Sequence, residues 1–350
     1  MKKSHYQEKE TPPSEDLEVK KGKKPKRPNF VFTILAYVLS IIVVASLSLI
    51  AWLNFQGRPL SSDKEKFDYF EIKTGDSTRA VAGKLQSQNL VRSDATFYIL
   101  AKLSGGPICA GYYKISPSMT NSEILEKFRK AEVDAYSITI PEGYRNLQIA
   151  KLFQEKAGIE PTKFIGAATG SEGTLFPDTY VLPSNTEPAK IVKLMKENYE
   201  KRTANLKVTS DQLILASIIE REAINDEERP QIAAVYTNRL SKNMLLQADP
   251  TIRYGLDSQK YLETKSVDFT FWQGISRGDY QNLNSSFNTY KNKNLPPAPI
   301  CNPGLKSIEA AQNPTADFDY LFFFHDKDRK IHFAKTYEEH LKLIQEFGLP

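Results

Sequence analysis

Two apolar stretches dominate the hydrophobic pattern of the chain. The first, residues 30–53, has no charged residue and as a helix spans roughly 36 Å at about 1.5 Å per residue, enough to cross a membrane. The second, residues 213–223, is apolar on nearly every face, which is typical of a helix buried in a core. Ser210 and Asp211 precede it and predict its N-cap and its first turn.

Shorter patterns predict the remaining elements. Alternating residues predict strands at 70–73, 111–115 and 137–140, and a hairpin at 320–324 and 330–334. Caps and apolar faces predict helices at 77–89, 94–103, 146–156, 188–204, 226–240 and 337–347, and one that begins with a capping box at Thr120 and Glu123. Between residues 244 and 303, where prolines cluster, we expect little regular structure and a functional loop region.

These elements predict an α+β fold with a single N-terminal transmembrane helix and two folded units. We expect a disordered cytoplasmic tail at 1–29, the transmembrane helix at 30–53 and a polar linker at 54–66. A small α/β domain at 67–134 and a mixed domain at 135–350, built on the buried central helix, complete the chain. A length of 350 residues with 40% hydrophobic content is enough for both cores.

The charge balance indicates a membrane topology rather than nucleic-acid binding. The formal net charge is only +5, and a basic tract at residues 20–27 immediately precedes the apolar run. The positive-inside rule then predicts a cytoplasmic N-terminus, with everything after residue 54 outside the cytoplasm. We therefore expect a single-pass protein of the plasma (inner) membrane. Two distant cysteines, Cys109 and Cys301, favour free or buried thiols over a disulfide.

Several kinds of catalytic site are not indicated by the sequence. The four histidines lack the close spacing of zinc ligands, so we predict no metal. The sequence contains no nucleophile elbow, P-loop or dinucleotide fingerprint, and nothing pairs Cys301 with a base. We accordingly predict no cofactor.

Two carboxylates, Glu220 and Glu222, interrupt the second apolar run. A buried carboxylate costs several kcal/mol unless it is paired, protonated or open to a cleft. Glu220 shares its helix face with Ala216 and Ala223, whose small size favours a groove beside it, whereas Glu222 shares its face with bulkier residues. Salt bridges from both glutamates to arginines such as Arg221 and Arg229 are an equally good interpretation.

A carboxyl in an apolar pocket keeps its proton near neutral pH and can act as a general acid on a glycosidic bond. Sugar rings can stack on aromatic side chains of the loop region, and polar side chains there can bind sugar hydroxyl and acetamido groups. The candidates for stacking are Tyr254, Trp272 and Tyr290, and those for hydrogen bonding are Gln247, Asp249 and Asn288. For each of them a purely structural role is the simpler interpretation.

In these stretches the sequence resembles the MltG/YceG family of endolytic murein transglycosylases. The resemblance rests on linked motifs in order, from about residue 67 to the C-terminus: Glu172-Gly173, Phe176-Pro177-Asp178-Thr179-Tyr180, Ala216-Ser217-Ile218-Ile219-Glu220-Arg221-Glu222, Asn238-Arg239-Leu240, Leu246-Gln247-Ala248-Asp249-Pro250-Thr251, Tyr254-Gly255, Asn288-Thr289-Tyr290 and the proline loop at residues 295–304. Thr251 joins the predicted substrate-binding set through its motif. Asn294 and Ala298 depart from the glycines expected in the loop, and residues 262–286 do not align.

The resemblance implies a lytic transglycosylase that cuts the MurNAc–GlcNAc β-1,4 bond inside nascent peptidoglycan and leaves a 1,6-anhydro end. It implies Glu220 as acid and then base, with Glu222 as the control position. It also implies glycan strands as substrate, contact with peptidoglycan synthases or division proteins, and a role in ending strand elongation. Alternatives are a hydrolytic muramidase and a non-catalytic wall-binding scaffold. Residues 67–134 resemble in part LysM, a glycan-binding module, although a structural spacer fits as well.

Overall fold

The computed structural model describes residues 30–348, and the predicted cytoplasmic tail lies outside this range. The described helices are α1 Phe30–Gln56, α2 Thr78–Ser87, α3 Asp94–Ser104, α4 Asn121–Arg129, α5 Asn146–Ala157, α6 Pro161–Ala167, α7 Pro188–Arg202, α8 Ser210–Glu222, α9 Glu228–Ser241, α10 Asp249–Thr264, α11 Arg277–Asn282, α12 Leu305–Gln312 and α13 Tyr337–Phe347. The strands are β1 Asp68–Ile72, β2 Gly111–Ile115, β3 Ala135–Thr139, β4 Thr179–Pro183, β5 Phe322–His325 and β6 Ile331–Ala334. The prediction of a mixed helical and stranded fold is confirmed.

The first helix, α1, is long and apolar enough to cross a membrane. None of its residues is buried against the rest of the protein, and the helix ends three residues later than predicted. Residues 57–61, which follow α1, are hydrogen-bonded to the segments at Arg92 and Pro117. The amides of Leu60 and Ser61 donate to the Pro117 carbonyl at 2.8 and 3.1 Å, and Arg92 Nη2 donates to the Pro59 carbonyl at 2.8 Å.

A first core forms inside a β1-α2-α3-β2-α4 unit. Strands β1 and β2 pair antiparallel, with Phe70 opposite Tyr113, and both aromatic rings pack on Phe128 of α4. The predicted cap at Ser77 and the capping box of Thr120 with Glu123 are present. These contacts confirm the predicted local structure, while the LysM resemblance of this unit stays a prediction.

A second core lies between the β3–β4 sheet and helices α5, α6 and α7. Its centre includes Ile138, Phe153, Phe164 and Met195, all buried. Strand β4 was not predicted, because the motif around it is rich in turn residues. Its strand conformation depends on pairing with β3, some 40 residues earlier, as in the register of Thr139 with Thr179.

The central helix, α8, lies in a third core with α9 and α12, as the apolar run predicts. Residues 214–219 are all buried in this core. The N-cap, however, is Thr209 rather than Ser210. Thr209 Oγ1 accepts from the Gln212 amide at 3.2 Å while Gln212 Oε1 accepts from the Thr209 amide at 2.9 Å, which completes a capping box.

The expectation of little regular structure between residues 244 and 303 is wrong for its first part. Helix α10 has 16 residues and begins at Asp249, with Pro250 in its first turn, where a proline costs no hydrogen bond. An Asp-Pro pair is typical both of a turn and of a helix start, and here it begins a helix. The short helix α11 follows, whereas residues 283–304 are irregular as predicted. The hairpin of β5 and β6 and the final helix α13 are confirmed.

Gly173 offers a test of the packing between the second and third cores. Its φ of +90° is unfavourable for other residues, and a Cβ there would lie 2.6 Å from Pro299 Cγ in the proline loop. We expect Gly173→Ala to lower the free energy of unfolding by roughly 2–4 kcal/mol, from backbone strain and overpacking together. The control is Gly170→Ala, at φ +70° with open space around it. Urea unfolding of both variants measures the difference, and equal losses would contradict the packing argument.

Candidate active site

Two adjoining cavities open beside the C-terminal end of α8. One, of about 380 Å³, lies between α8, α9 and the β5–β6 hairpin, and the other, of about 270 Å³, lies between α8, the start of α10 and the 272–275 loop. Both are lined by Glu222 and Asp249, so these two carboxylates mark the point where the cavities meet. The two cavities together form a cleft with room for a ligand on either side of Glu222.

Glu222 is the last residue of α8 and faces this cleft. Its Oε1 accepts a hydrogen bond from the Tyr236 hydroxyl of α9 at 2.8 Å. The pKa of the Glu222 carboxyl is raised from 4.5 to about 7, chiefly by burial. The negative charge of Asp249 also raises this pKa, whereas the hydrogen bond from Tyr236 and the charges of Arg221 and Arg239 lower it. Glu222 can therefore carry a proton near neutral pH.

Asp249 lies across the cleft at the first turn of α10, and it is held by two tyrosines. The Tyr290 hydroxyl donates to Asp249 Oδ1 at 2.5 Å and the Tyr280 hydroxyl donates to Oδ2 at 3.2 Å. Burial, and then the hydrogen bond to Asp249, raise the pKa of Tyr290. Gln247 lies just before α10 with a left-handed φ of 52°, and its Oε1 accepts from Arg239 Nη1 at 3.3 Å. These contacts fix the orientation of the polar groups in the cleft.

The smaller cavity has an aromatic and cationic wall. The Arg221 guanidinium stacks over the Trp272 ring at 4.2 Å, and Trp272 Nε1 donates to Gln148 Oε1 at 2.7 Å. Trp272 also has a left-handed backbone, with φ at 58°. A strained residue held by contacts on both sides is typical of a functional site.

Glu220, the predicted general acid, does not face this cleft. Its side chain is 6% exposed, and its Oε2 accepts from Arg229 Nη1 at 3.2 Å, the Gly304 amide at 3.0 Å and the Ser307 hydroxyl at 2.8 Å. Gly304 is the N-cap of α12, so the carboxylate also lies at the positive end of that helix. The groove expected beside Glu220 is filled by the start of α12, and the role of Glu220 as general acid stays a prediction. The small residues make room for α12, which packs closely on α8.

The sequence of this protein matches the model of the YceG-like family over residues 70–346. The chain belongs to the YceG-like family. The family resemblance predicted from the motifs is thereby confirmed.

Relatives of this YceG-like chain include proteins named endolytic murein transglycosylase. One from Bacillus subtilis (strain 168) is 29% identical, over 83% of this chain and 87% of its own. Another, from Streptococcus pneumoniae serotype 2 (strain D39), is 27% identical over 89% of this chain, which spans only 65% of that relative. A crystal structure of a YceG-like protein from Listeria monocytogenes, 29% identical, covers 79% of this chain and 99% of its own, with a TM-score of 0.49.

The structure brings only some of the predicted substrate-binding residues of this YceG-like protein to the cleft. Gln247, Asp249, Trp272 and Tyr290 line it. Thr251 is fully buried and its hydroxyl lies 2.8 Å from that of Thr289, which ties the start of α10 to the loop.

Asn288 and Tyr254 have structural contacts instead. Asn288 is buried, and its Nδ2 donates to the carbonyls of Tyr280 and Leu283 at 3.0 and 2.9 Å. Tyr254 packs on Phe287 and lies under the Arg145 guanidinium, 3.9 Å from the ring centroid. The contacts of Thr251, Asn288 and Tyr254 are thus within the protein, neither of the two cavities is lined by them, and their role in substrate binding stays a prediction.

Two contributions to the cleft were not predicted from the sequence. Tyr236 is buried on the apolar face of α9, and no periodicity reveals that its hydroxyl reaches Glu222. The β5–β6 hairpin supplies Phe322, Phe323 and His325 to the larger cavity from about 100 residues beyond the end of α8. The Asn238-Arg239-Leu240 motif is the sequence feature that could have indicated the hairpin's contribution. Arg239 donates to the Leu321 and Leu246 carbonyls at 2.6 and 2.7 Å and so links the hairpin to the cleft.

Proposed function

We propose that this protein is an endolytic lytic transglycosylase of peptidoglycan, with Glu222 as its general acid and base. The single observation that carries the assignment is Glu222 at the junction of two cavities, with a carboxyl pKa raised to about 7. The family and the names of the relatives support the same substrate class. Glu220 is the second candidate, but its side chain lines neither cavity and accepts three hydrogen bonds from within the protein, which favours a structural role.

In the proposed reaction, protonated Glu222 donates its proton to the oxygen that links MurNAc C1 to GlcNAc C4. The C1–O4 bond breaks and the sugar develops oxocarbenium character, which the Asp249 carboxylate opposite can stabilise. The C6 hydroxyl of the same MurNAc then bonds to C1, and its proton passes to the Glu222 carboxylate. One residue thus serves as acid and then as base, without water as the nucleophile.

The proposed topology places this chemistry on the outer side of the plasma membrane. Helix α1 supplies an apolar segment of spanning length, and the basic tract at residues 20–27 predicts a cytoplasmic N-terminus. Nascent glycan strands are made at that surface, so an anchored endolytic enzyme can cut them and end their elongation. Contact with synthases or division proteins belongs to the same proposal.

Product analysis tests the proposed reaction. The full-length protein in detergent should release fragments from uncrosslinked glycan strands that end in 1,6-anhydro-MurNAc. A muramidase would give reducing ends heavier by one water, which mass spectrometry separates. A wall-binding scaffold would bind strands without releasing either product.

The pKa of Glu222 makes a pH profile informative. A general acid must be protonated, so kcat/KM should fall as the pH rises through about 7. Tyr236→Phe removes a hydrogen bond that favours the charged carboxylate and should move this limb to higher pH. Asp249→Asn removes a nearby negative charge and should move it to lower pH. A limb that stays in place in both variants would exclude Glu222 as the titrating acid.

A further inference from the structure

We propose that the junction between α1 and the first unit binds an anionic glycerophospholipid of the membrane that α1 enters. A cavity of about 260 Å³ lies there, between the end of α1, helix α3 and the start of α4. It is separate from the cleft that holds Glu222, and the proposal does not depend on the catalytic assignment.

Two buried polar side chains line this cavity without a hydrogen-bond partner. Thr96 is 3% exposed and Asn121 is 2% exposed, and both Thr96 Oγ1 and Asn121 Nδ2 lack a partner. A buried polar group left unpaired is destabilising by about 1–3 kcal/mol. An unpaired donor in the wall of a cavity therefore indicates a ligand that reaches this wall and supplies acceptor oxygens.

The charge and walls of the cavity indicate what kind of ligand fits. Its described lining contains one cation, Arg58, and no carboxylate, and no described carboxylate lies within ion-pair distance of Arg58. The Asn121 amide, the Thr96 hydroxyl and the Arg58 guanidinium are all donors, which suits a phosphodiester. Leu53, Ile99 and Leu103 form an apolar wall that suits glycerol and acyl carbons.

The depth of the cavity relative to a bilayer agrees with a lipid ligand. Helix α1 has 27 residues, roughly 40 Å at about 1.5 Å per residue, against about 30 Å of hydrocarbon core. The last turn of α1, which lines the cavity, therefore reaches the head-group layer. Ile99 and Leu103, one turn apart on the same face of α3, are 38% and 78% exposed there, and this small apolar face can lie against lipid.

The connection between α1 and the cavity is rigid. The Asn121 amide donates to the Gly57 carbonyl at 3.1 Å, and the guanidinium groups of Arg58 and Arg92 lie 6.0 and 5.9 Å from the Phe55 ring centroid. Because these contacts join the end of the span to the first unit, the cavity stays at the membrane surface.

The test uses the full-length protein in nanodiscs of phosphatidylglycerol with phosphatidylcholine, or of phosphatidylcholine alone. A phosphatidylglycerol bearing a head-group photocross-linker should label residues 96–103 or 120–122, and hydrogen exchange there should slow only in the anionic discs. Asn121→Leu should reduce labelling at least fivefold, whereas Asn205→Leu, the same exchange on a remote exposed loop, should not. Leu103→Glu is a second test variant, and because Leu103 is exposed, we expect the protein to fold normally. The negative charge of the new side chain should repel the anionic head group and abolish labelling. The proposal would be overturned if Asn121→Leu and Leu103→Glu were labelled as strongly as Asn205→Leu, or if hydrogen exchange were equal in the two kinds of disc. It would also be overturned if a polyprenyl phosphate probe labelled these residues and the phosphatidylglycerol probe did not.

Discussion

Glu222→Gln is expected to reduce the release of anhydro-muramyl products by roughly 10²–10⁴-fold, the usual contribution of a general acid. The amide has nearly the shape of the acid but cannot donate the proton that the leaving oxygen requires. Its Oε1 can still accept from the Tyr236 hydroxyl, so the fold should persist. The measurement is the initial rate of product release from purified glycan strands, followed by chromatography and mass spectrometry.

Glu220→Gln is the matched control, because it makes the same chemical change two residues away on the same helix. We expect it to retain most of its rate per folded molecule while losing stability, since Arg229 loses its buried ionic partner and keeps only the exposed Asp226. If Glu220→Gln were inactive and fully folded while Glu222→Gln kept its rate, the roles of the two glutamates would be the reverse of those proposed.

Arg229→Met is expected to lower the free energy of unfolding by about 3–5 kcal/mol, because it leaves the Glu220 carboxylate buried without its counter-charge. Arg229 is itself buried, and it also donates to the Ser307 hydroxyl and to Asp226 Oδ1, so the change affects the junction of α8, α9 and α12. Trp272 lies in this part of the protein, and its fluorescence during urea unfolding reports the loss.

The double variant Glu220→Gln/Arg229→Met separates the ion pair from simple packing. Removing both charges should restore a large part of the stability lost in Arg229→Met, because no buried charge remains. A double variant whose loss equals the sum of the two single losses would mean that the ion pair contributes nothing of its own.

The helices and strands that were predicted correctly are those whose formation depends on residues close together in the sequence. The apolar run of α1, the caps at Ser77 and Thr120 and the alternating residues of β2 each carry their signal within a few residues. Strand β4 does not, since its pairing partner is some 40 residues away. Helix α10 was missed because Asp-Pro suits both a turn and a helix start, and only the packing around Thr251 decides between them.

The choice between the two glutamates could not be made from α8 alone. Helical spacing shows that Glu220 and Glu222 lie on different faces of α8. The residues that pack against each face, however, belong to segments far away in the sequence. Residues 304–307 bring a helix end to Glu220, and the hairpin and α10 bring the cleft to Glu222. The small side chains of Ala216 and Ala223 fit either an open groove beside Glu220 or the close approach of another helix. The sequence does not distinguish the two, and in the structure α12 packs there.

The hydrogen-bonded segment after α1 has a consequence for how far the enzyme reaches. A long flexible tether would let the cleft sample a wide volume of the wall, with a distance that grows with tether length. Here residues 57–61 are fastened to the first unit, so the tether contributes almost no reach of its own. In the proposed topology the folded domains then act as a fixed spacer, and the cut falls at a set height above the lipid, on whatever strand passes through that layer.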